Sequence, residues 1–580
     1  MPFANAAALL LAGAANSGPS EAIVADTIIV VAPSLLGDQH DAIQISSASI
    51  RGAGNPDLFR ALARSIPGLS LQDAQNNPFQ PNLVYRGFTV SPLQGQAQGL
   101  AVYLDGGRFN QPFGDTVQFD LLPEAAIERV EILGASPVYG LNALGGAIAV
   151  ATKTGRSAPG LFLSGAVGRY GEAEGVVEAG SAGERASAYL ALQQSHDSGW
   201  RRFSPSTLYN GLVDLGWDEA AWGVHLKLVG ADSDLTGNGS APVELLDADY
   251  RAVFTHPDNT RNRFGRVSLH PWIELTQSSR IEASLYRQHL RQSTLNGDAA
   301  DIEACDDDRL AGLLCLETAD EDEEAVLVGM DGGTIADVLG GEGYGVLNRS
   351  RTRTSAQGLL VQFVDRRPLA GGENQLVIGF SHDRSRTRFD SSSELGALNE
   401  ERSVDGLGPV IAQPDGSITP VSLVARTRHT GLFLSNSLPI TAALRVEFGL
   451  RWQASPALAL RLAYAETNRA PTPAELACAD EAAPCSLTNF FVADPPLKQV
   501  VARTIEANGH GSIGGLEWRL SAYRTTNEDD IHFVASGTRG RAFFRNIGGT
   551  RRQGLETVIG YRRDGLSVHA GYAFTDAVFR

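Results

Sequence analysis

The chain reads as a mainly-β membrane protein: a transmembrane antiparallel β-barrel whose lumen holds an N-terminal α/β domain. Three observations predict this. From about residue 161 onward, apolar residues recur at every second position for hundreds of residues, the pattern of strands with one face on lipid and one on a wet interior. Before that run lies a glycine-punctuated stretch, residues 40–155, with mixed helix and strand signals. Before that again stands a short apolar segment, Asp26-Thr27-Ile28-Ile29-Val30-Val31-Ala32. A barrel blocked by a domain cannot conduct passively, so something must act on that segment from outside.

Composition sets the limits. A chain of 580 residues exceeds one soluble core. It carries 48 Lys+Arg against 66 Asp+Glu, a net charge of −18, which argues against a nucleic-acid partner because phosphate binding needs clustered cations. The longest apolar run, Ala6–Ala15, is ten residues, where a transmembrane helix needs about 20. Residues 1–25 read as leader and linker: Ala6–Ala15 suits the core of a secretory signal, with small residues at Ala14-Ala15-Asn16-Ser17 for cleavage. A disordered alanine-rich leader is the alternative, since Met1–Asn5 holds no Lys or Arg. The cysteines fall in two local pairs, Cys305/Cys315 and Cys478/Cys485. Close even pairs without a neighbouring histidine point to loop disulfides in an oxidising compartment rather than to a metal.

The lumenal domain has recognisable punctuation. Asn55-Pro56-Asp57 precedes a helical run, Leu58–Arg64, which Pro67-Gly68 stops. Strands are predicted at Leu83–Arg86, Leu100–Leu104 and Ile127–Leu133. A glycine-rich stretch, Gly140–Gly146, feeds a strand at Ala147–Ala151. In the barrel, Trp222–Leu228, Leu458–Tyr464 and Leu516–Tyr523 alternate cleanly. Polar segments near 236–260, 293–350, 390–420 and 468–499 are expected as extracellular loops. The acidic residues Cys305–Asp308 and Asp320–Glu324 could hold Ca²⁺, but lack an EF-hand spacing and read as a solvated loop. No H-E-x-x-H, G-x-S-x-G or phosphate-loop pattern occurs, so no enzyme is expected.

In order along the chain, several motifs resemble the TonB-dependent outer-membrane receptor family. Asp26-Thr27-Ile28-Ile29-Val30 resembles the TonB box. Arg64-Ser65-Ile66-Pro67-Gly68-Leu69, Arg86-Gly87-Phe88, Tyr103-Leu104-Asp105-Gly106, Ile127–Glu131 and Tyr139–Ile148 resemble plug-domain signatures. Asn468–Leu476 and Asn546–Glu556 resemble barrel ones. The resemblance implies a 22-stranded barrel, spanning residues 160–580, around a plug at 40–155. It implies TonB-driven uptake of a scarce, bulky nutrient across the outer membrane of a Gram-negative bacterium, most often a ferric siderophore; cobalamin, haem, nickel chelates and glycans remain open. No covalent cofactor or resident metal is expected. The implied partners are TonB with its inner-membrane energising complex, outer-membrane lipid, the barrel-assembly machinery and a small-molecule chelate. The segment 26–32 can pair with a partner's sheet edge, or belong to the plug's own sheet.

Residue roles follow from the same resemblance. Plug arginines map onto Arg86 and Arg129, and facing barrel glutamates onto Glu506 and Glu556, as a latch; solvated lumen charges are the alternative. Ligand contacts are expected from Phe79, Gln94, Gln96, Gln98, Arg108, Phe109 and Phe113. Two features depart from the family pattern. About sixteen barrel strands are countable, and Leu444–Trp452 runs almost directly into Leu458–Tyr464 where a strand pair and loop are expected. C-terminal strands are therefore expected to be missing, leaving a fragment or deletion form with an open edge. The competing function is a barrel that binds a ligand or partner at the cell surface without transporting it.

Overall fold

The computed structural model describes residues 43–580, apart from 54–56, 74, 137–138, 318–323, 370–371, 373, 415–417, 442, 447–448, 456, 480–496, 536–541 and 564–565. The leader, the segment Asp26–Val30 and Cys485 lie outside the described residues.

The plug begins with β1 (Ile43–Ser46), α1 (Ser47–Ala53), α2 (Leu58–Ser65), β2 (Leu69–Gln72), β3 (Asn82–Tyr85) and β4 (Phe88–Val90). It continues with β5 (Ala101–Leu104), β6 (Gly107–Arg108), β7 (Ile127–Leu133) and β8 (Ala147–Thr152). The Asp57 carboxylate caps α2 by accepting from the Arg60 N–H. Gly68, at φ +78°, turns the chain away after it. Five strands form one sheet in the order β1-β7-β8-β5-β6, and β2-β3-β4 form another. Leu62, Leu83, Val102, Leu104 and Val130 fill the core. The hairpins β3–β4 and β5–β6 turn on Arg86-Gly87 and Asp105-Gly106, both residues of each at positive φ. That is the type I′ geometry whose twist matches the flanking strands.

The wall starts with β9 (Gly160–Val167), β10 (Ala173–Ala182), β11 (Ala186–Asp197), β12 (Ser206–Asp218) and β13 (Trp222–Thr236). After α3 (Val243–Ala248) come β14 (Asp258–Thr276) and β15 (Ser279–Ala299). The next loop folds into a small sheet of β16 (Ile302–Ala304), β17 (Leu314–Glu317) and β18 (Glu324–Val326), tied by the Cys305–Cys315 disulfide. Then follow β19 (Tyr344–Asp365), β20 (Gln375–Leu398), β21 (Val404–Val410), β22 (Val421–Pro439), β23 (Leu444–Val446), β24 (Gly449–Ser455) and β25 (Leu458–Arg469). The last part holds α4 (Pro473–Leu476), β26 (Val500–Ile513), β27 (Leu516–Glu528), a hairpin β28 (Ile531–Ala535) and β29 (Ala542–Asn546), β30 (Gly549–Arg563) and β31 (Leu566–Phe579).

Eighteen strands, β9–β15, β19–β27, β30 and β31, make one closed barrel. Among the described residues this corrects the expected sixteen strands and the expected open C-terminal edge, while the count stays below the 22 that the resemblance implies. The order returns from β31 to β9, and most residues of both seam strands are exposed on either face. The expected loops at 293–350 and 390–420 are also shorter than predicted, because β15, β19 and β20 run on into them. Their hydropathy alternation fades there while pairing persists: Thr294 and Ser350, paired across β15 and β19, share a 2.6 Å hydroxyl hydrogen bond.

The expected strand pair between residues 444 and 458 exists but is low. β22 pairs with β23 only at Leu438↔Val446 and Pro439↔Arg445. β24 meets β25 only up to Gly449↔Ala463. Above that hairpin, β22 from Val421 to Asn436 has no ladder on the edge facing β25 among the described residues. On the edge facing β22, the run Tyr464–Arg469 of β25 receives, among the described residues, only the Asn142 N–H of the plug, donated to the Asn468 carbonyl at 3.4 Å.

Candidate functional site

Arg86 sits at the tip of the β3–β4 hairpin, in the left-handed region at φ 53°. A tight type I′ turn projects its side chain off the plug and into the wall. Its guanidinium meets Glu506 of β26 at 2.9 Å and Glu556 of β30 at 2.9 and 2.7 Å, with Ser521 of β27 accepting at 3.1 Å. The Tyr85 and Tyr523 rings flank it at 5.0 and 4.4 Å. Burial opposes this charge, but Glu506, Tyr85 and Glu556 together hold Arg86 protonated well above its ordinary value. Three of the four expected latch residues therefore meet.

Arg129 does not join them. It lies on β7, in the plug's central sheet, and pairs with Glu131 of the same strand at 2.8 Å. Residues two apart on a strand share a face, so the nearest carboxylate is local. Two ties that sequence reasoning missed hold the plug to other strands of the wall. Asp105, in the second hairpin, faces Lys227 of β13 at 3.2 Å and accepts from the Thr152 N–H and hydroxyl at 2.9 and 2.8 Å. Burial raises the pKa of Asp105, but Lys227, His270 and the Thr152 donors outweigh it and hold the carboxyl below its usual range. Lys153 and Arg51 both reach Glu178 of β10, at 2.6 and 2.7 Å. A lysine in the lumen-facing register of an otherwise alternating strand was the available signal for Lys227.

The expected ligand contacts divide. Phe109 is fully buried, edge-on to Phe264 of the wall at 5.9 Å, and Phe113 stacks on Phe389 at 5.2 Å. Both are plug-to-wall packing residues, so their aromatic character serves the core rather than a ligand. Gln98 is buried too: its carbonyl accepts from the Ser91 N–H at 2.9 Å and its amide donates to the Ser91 carbonyl at 3.3 Å, closing the loop 91–98. Phe79 and Gln94 are half-buried and Gln96 is exposed; the cavities at Arg108 include none of the three.

Arg108 remains, and it lines a cavity of about 440 Å³ between plug and wall. Tyr103, Tyr139, Leu141, Tyr286, Asp383 and His429 line it, and so do Glu466 and Asn468 from the far side of the low wall. Arg108 donates to the Leu141 carbonyl at 2.7 Å and to Asp115 at 2.6 Å. A smaller adjoining cavity adds Thr427, Arg469 and Pro471–Pro473. Arg469 is 1% exposed, and one nitrogen, Nη1, makes both of its bonds to Glu475 at 2.8 and 2.7 Å. Its Nε and Nη2 meet no acceptor among the described residues. Glu475 is held in place by a capping box with Thr472 at the start of α4. The two cavities thus share Arg108 and His429, and the smaller one adds Arg469 with its unspent donors, a constellation suited to an anionic oxygen-rich ligand. Cys305, Cys315 and Glu324 cluster within 4.8 Å, but the disulfide removes both thiolates as metal ligands.

Comparison with known proteins gives a consistent picture. Residues 183–580 match the family model described as TonB dependent receptor-like, beta-barrel, and residues 38–147 match the TonB-dependent receptor plug domain. Over 104 residues the chain is 31% identical to the ferric aerobactin receptor of Klebsiella pneumoniae, a match covering 18% of this chain and 13% of that receptor. The fold is similar to that of the ferric citrate transporter FecA in its unliganded form, with a TM-score of 0.65, 14% identity, and 92% and 78% of the two chains covered. It is also similar to BauA, the ferric preacinetobactin receptor from Acinetobacter baumannii, with a TM-score of 0.60, 13% identity, and 94% and 78% covered.

Proposed function

The chain belongs to the TonB-dependent receptor family, whose members are not enzymes, and from that premise we propose that it is an outer-membrane transporter for a bulky, anionic iron chelate. The observation that carries the cargo reading is Arg469: a buried guanidinium with two unspent donor nitrogens, on a cavity shared with Arg108 and His429. Carboxylate or hydroxamate oxygens of a ferric chelate match such donors, and the relatives named for ferric aerobactin and ferric citrate support that class. In this reading the segment Asp26–Val30 adds a strand to TonB, and the pull is delivered to the plug. Arg86, Glu506 and Glu556 then form the latch that keeps the plug docked between events.

The test is uptake of radioactive iron, supplied as the citrate or aerobactin chelate, in cells with this chain as sole receptor. Uptake that disappears on deletion of Asp26–Val31 supports TonB-driven transport. Surface binding without uptake, unchanged by the deletion, supports the non-transporting alternative. Arg469→Met is expected to weaken chelate binding about tenfold, the effect of losing one charge-assisted contact; unaltered binding removes Arg469 from the cargo site.

A further inference from the structure

The outward face of five adjacent strands changes character abruptly. Toward the short-turn end it is apolar: Ile273, Ile281, Phe363, Ile378 and Leu434 form one register row across β14, β15, β19, β20 and β22. Two rows toward the long-loop end the row reads Leu269, Leu285, Leu359, His382 and Thr430. The next row reads Val267, Arg287, Gln357, Arg384 and Arg428. After Gly265, His289, Ser355, Arg386 and Arg426, the row beyond reads Arg263, Arg291, Arg353, Arg388 and Val424. All nine of these arginines are exposed, and their neighbours in sequence face the lumen.

This is a single-sign patch on a chain whose net charge is −18. Carboxylates answer its edges, where Arg263 meets Asp232 and Arg388 meets Asp390, each at 3.1 Å. None of Arg287, Arg291, Arg384, Arg386, Arg426 and Arg428 has a carboxylate within 4.0 Å among the described residues. All the cations in these rows are arginine, the side chain whose planar fork matches phosphate and whose weak hydration suits an interface. The patch begins where the apolar rows end, at the depth where lipid head groups lie.

We propose that this patch is a docking surface for a phosphate-bearing lipid of the outer leaflet, held by Arg287, Arg384, Arg386, Arg426 and Arg428 through its phosphates, with its acyl chains on the apolar rows below. The inference rests on the membrane placement of the barrel and is independent of the cargo. It gives the barrel an annular lipid beside the low wall, since β22 carries Arg426 and Arg428 and borders that opening.

The probe is lipid A, in its diphosphorylated and enzymatically dephosphorylated forms, titrated against the detergent-solubilised full chain and read by native mass spectrometry. The expected result is binding of the diphosphorylated lipid at least about tenfold tighter than of the dephosphorylated one, weakened by salt because exposed charges are screened. Inorganic phosphate at millimolar concentration is expected not to compete, which separates a lipid site from a free-phosphate site; full competition overturns the lipid assignment. The variant with Arg287, Arg384, Arg386, Arg426 and Arg428 all changed to glutamine is expected to lose the preference. Equal binding of the two lipid forms by the unaltered chain overturns the proposal without reference to any variant. Iron uptake by the same chain is read separately, so loss of one reading leaves the other standing.

Discussion

Two stretches of the same wall solve the membrane's demand for paired backbone in different ways. The wall strands β13, β14, β15, β19 and β20 are 15 to 24 residues long and ladder one another along nearly their whole length, with one irregularity near Pro271–Thr276. From β22 to β25 the wall drops to a hairpin of three and seven residues, and above it two strand edges face an opening. The tall wall is self-sealed, and it also holds the plug: Lys227 of β13 binds Asp105, Arg266 of β14 donates to the Leu104 carbonyl at 3.2 Å, and Ser284 of β15 donates to the Asp105 carbonyl at 3.2 Å. The low wall inverts this relation. There the plug residues Tyr139–Asn142 stand against the opening, and one backbone bond from Asn142 caps the edge of β25. An unpaired backbone group in lipid costs several kcal/mol, so on this side the plug takes the part of missing wall.

The largest effect that tests this contrast lies at the latch. Glu506→Gln with Glu556→Gln leaves Arg86 buried without a counter-charge, and plug docking is expected to weaken by about 3–5 kcal/mol, read from protease susceptibility of the plug in urea. Lys227→Met strands Asp105, which keeps its two Thr152 donors, and a smaller loss of about 1–3 kcal/mol is expected. Equal losses at both sites would show that the plug is not held more firmly at Arg86.

Hydrogen exchange sharpens the contrast directly. Amides on the free edge of β22, between Val421 and Asn436, are expected to exchange on the order of 100-fold faster than those of β19, because local stability follows the pairing that must open. Matching protection in the two strands would mean that the low wall is sealed by something other than its own ladder.

The smallest effect is one of pH, where the plug meets β10. Glu124 is half-buried; burial pushes its carboxyl up to about 8 against the opposing Leu58 N–H, and Asp57 and Glu174 add to the rise. In the unfolded chain a glutamate titrates near about 4.3. The folded plug therefore keeps a proton that the unfolded chain releases. Stability is full below about pH 4.3 and falls as pH rises toward about 8. Glu124→Gln should flatten the pH dependence of plug unfolding over that window, and an unchanged slope would assign it to other groups.

Much of the architecture was legible in the chain. Period-2 alternation at Trp222–Leu228 and Leu516–Tyr523 marked wall strands, and Asn55-Pro56-Asp57 and Pro67-Gly68 bracketed α2. These are local effects: the spacing of side chains, the reach of one carboxylate, the tolerance of glycine for positive φ. Arg86, Glu506 and Glu556 were legible only through resemblance, because Arg86 lies more than 400 residues before either glutamate in the chain.

What only the tertiary structure decided concerns groups whose partners arrive from elsewhere. Phe109, Phe113 and Gln98 sit in polar loop sequence and read as ligand contacts, yet the wall buries Phe109 and Phe113, and Gln98 closes its own loop. Arg129 and Arg86 are alike in sequence, but the first faces its own strand and the second a hairpin tip aimed at two carboxylates. The row of arginines above the apolar band is invisible along the chain, since its members are scattered from Arg263 to Arg428 and become neighbours only through strand register. The sequence by itself determined that strands alternate and where they turn, because those depend on residues a few positions apart. Which charges meet, and which edge is left open, depended on closure of the barrel around the plug, a long-range condition that no local pattern encodes.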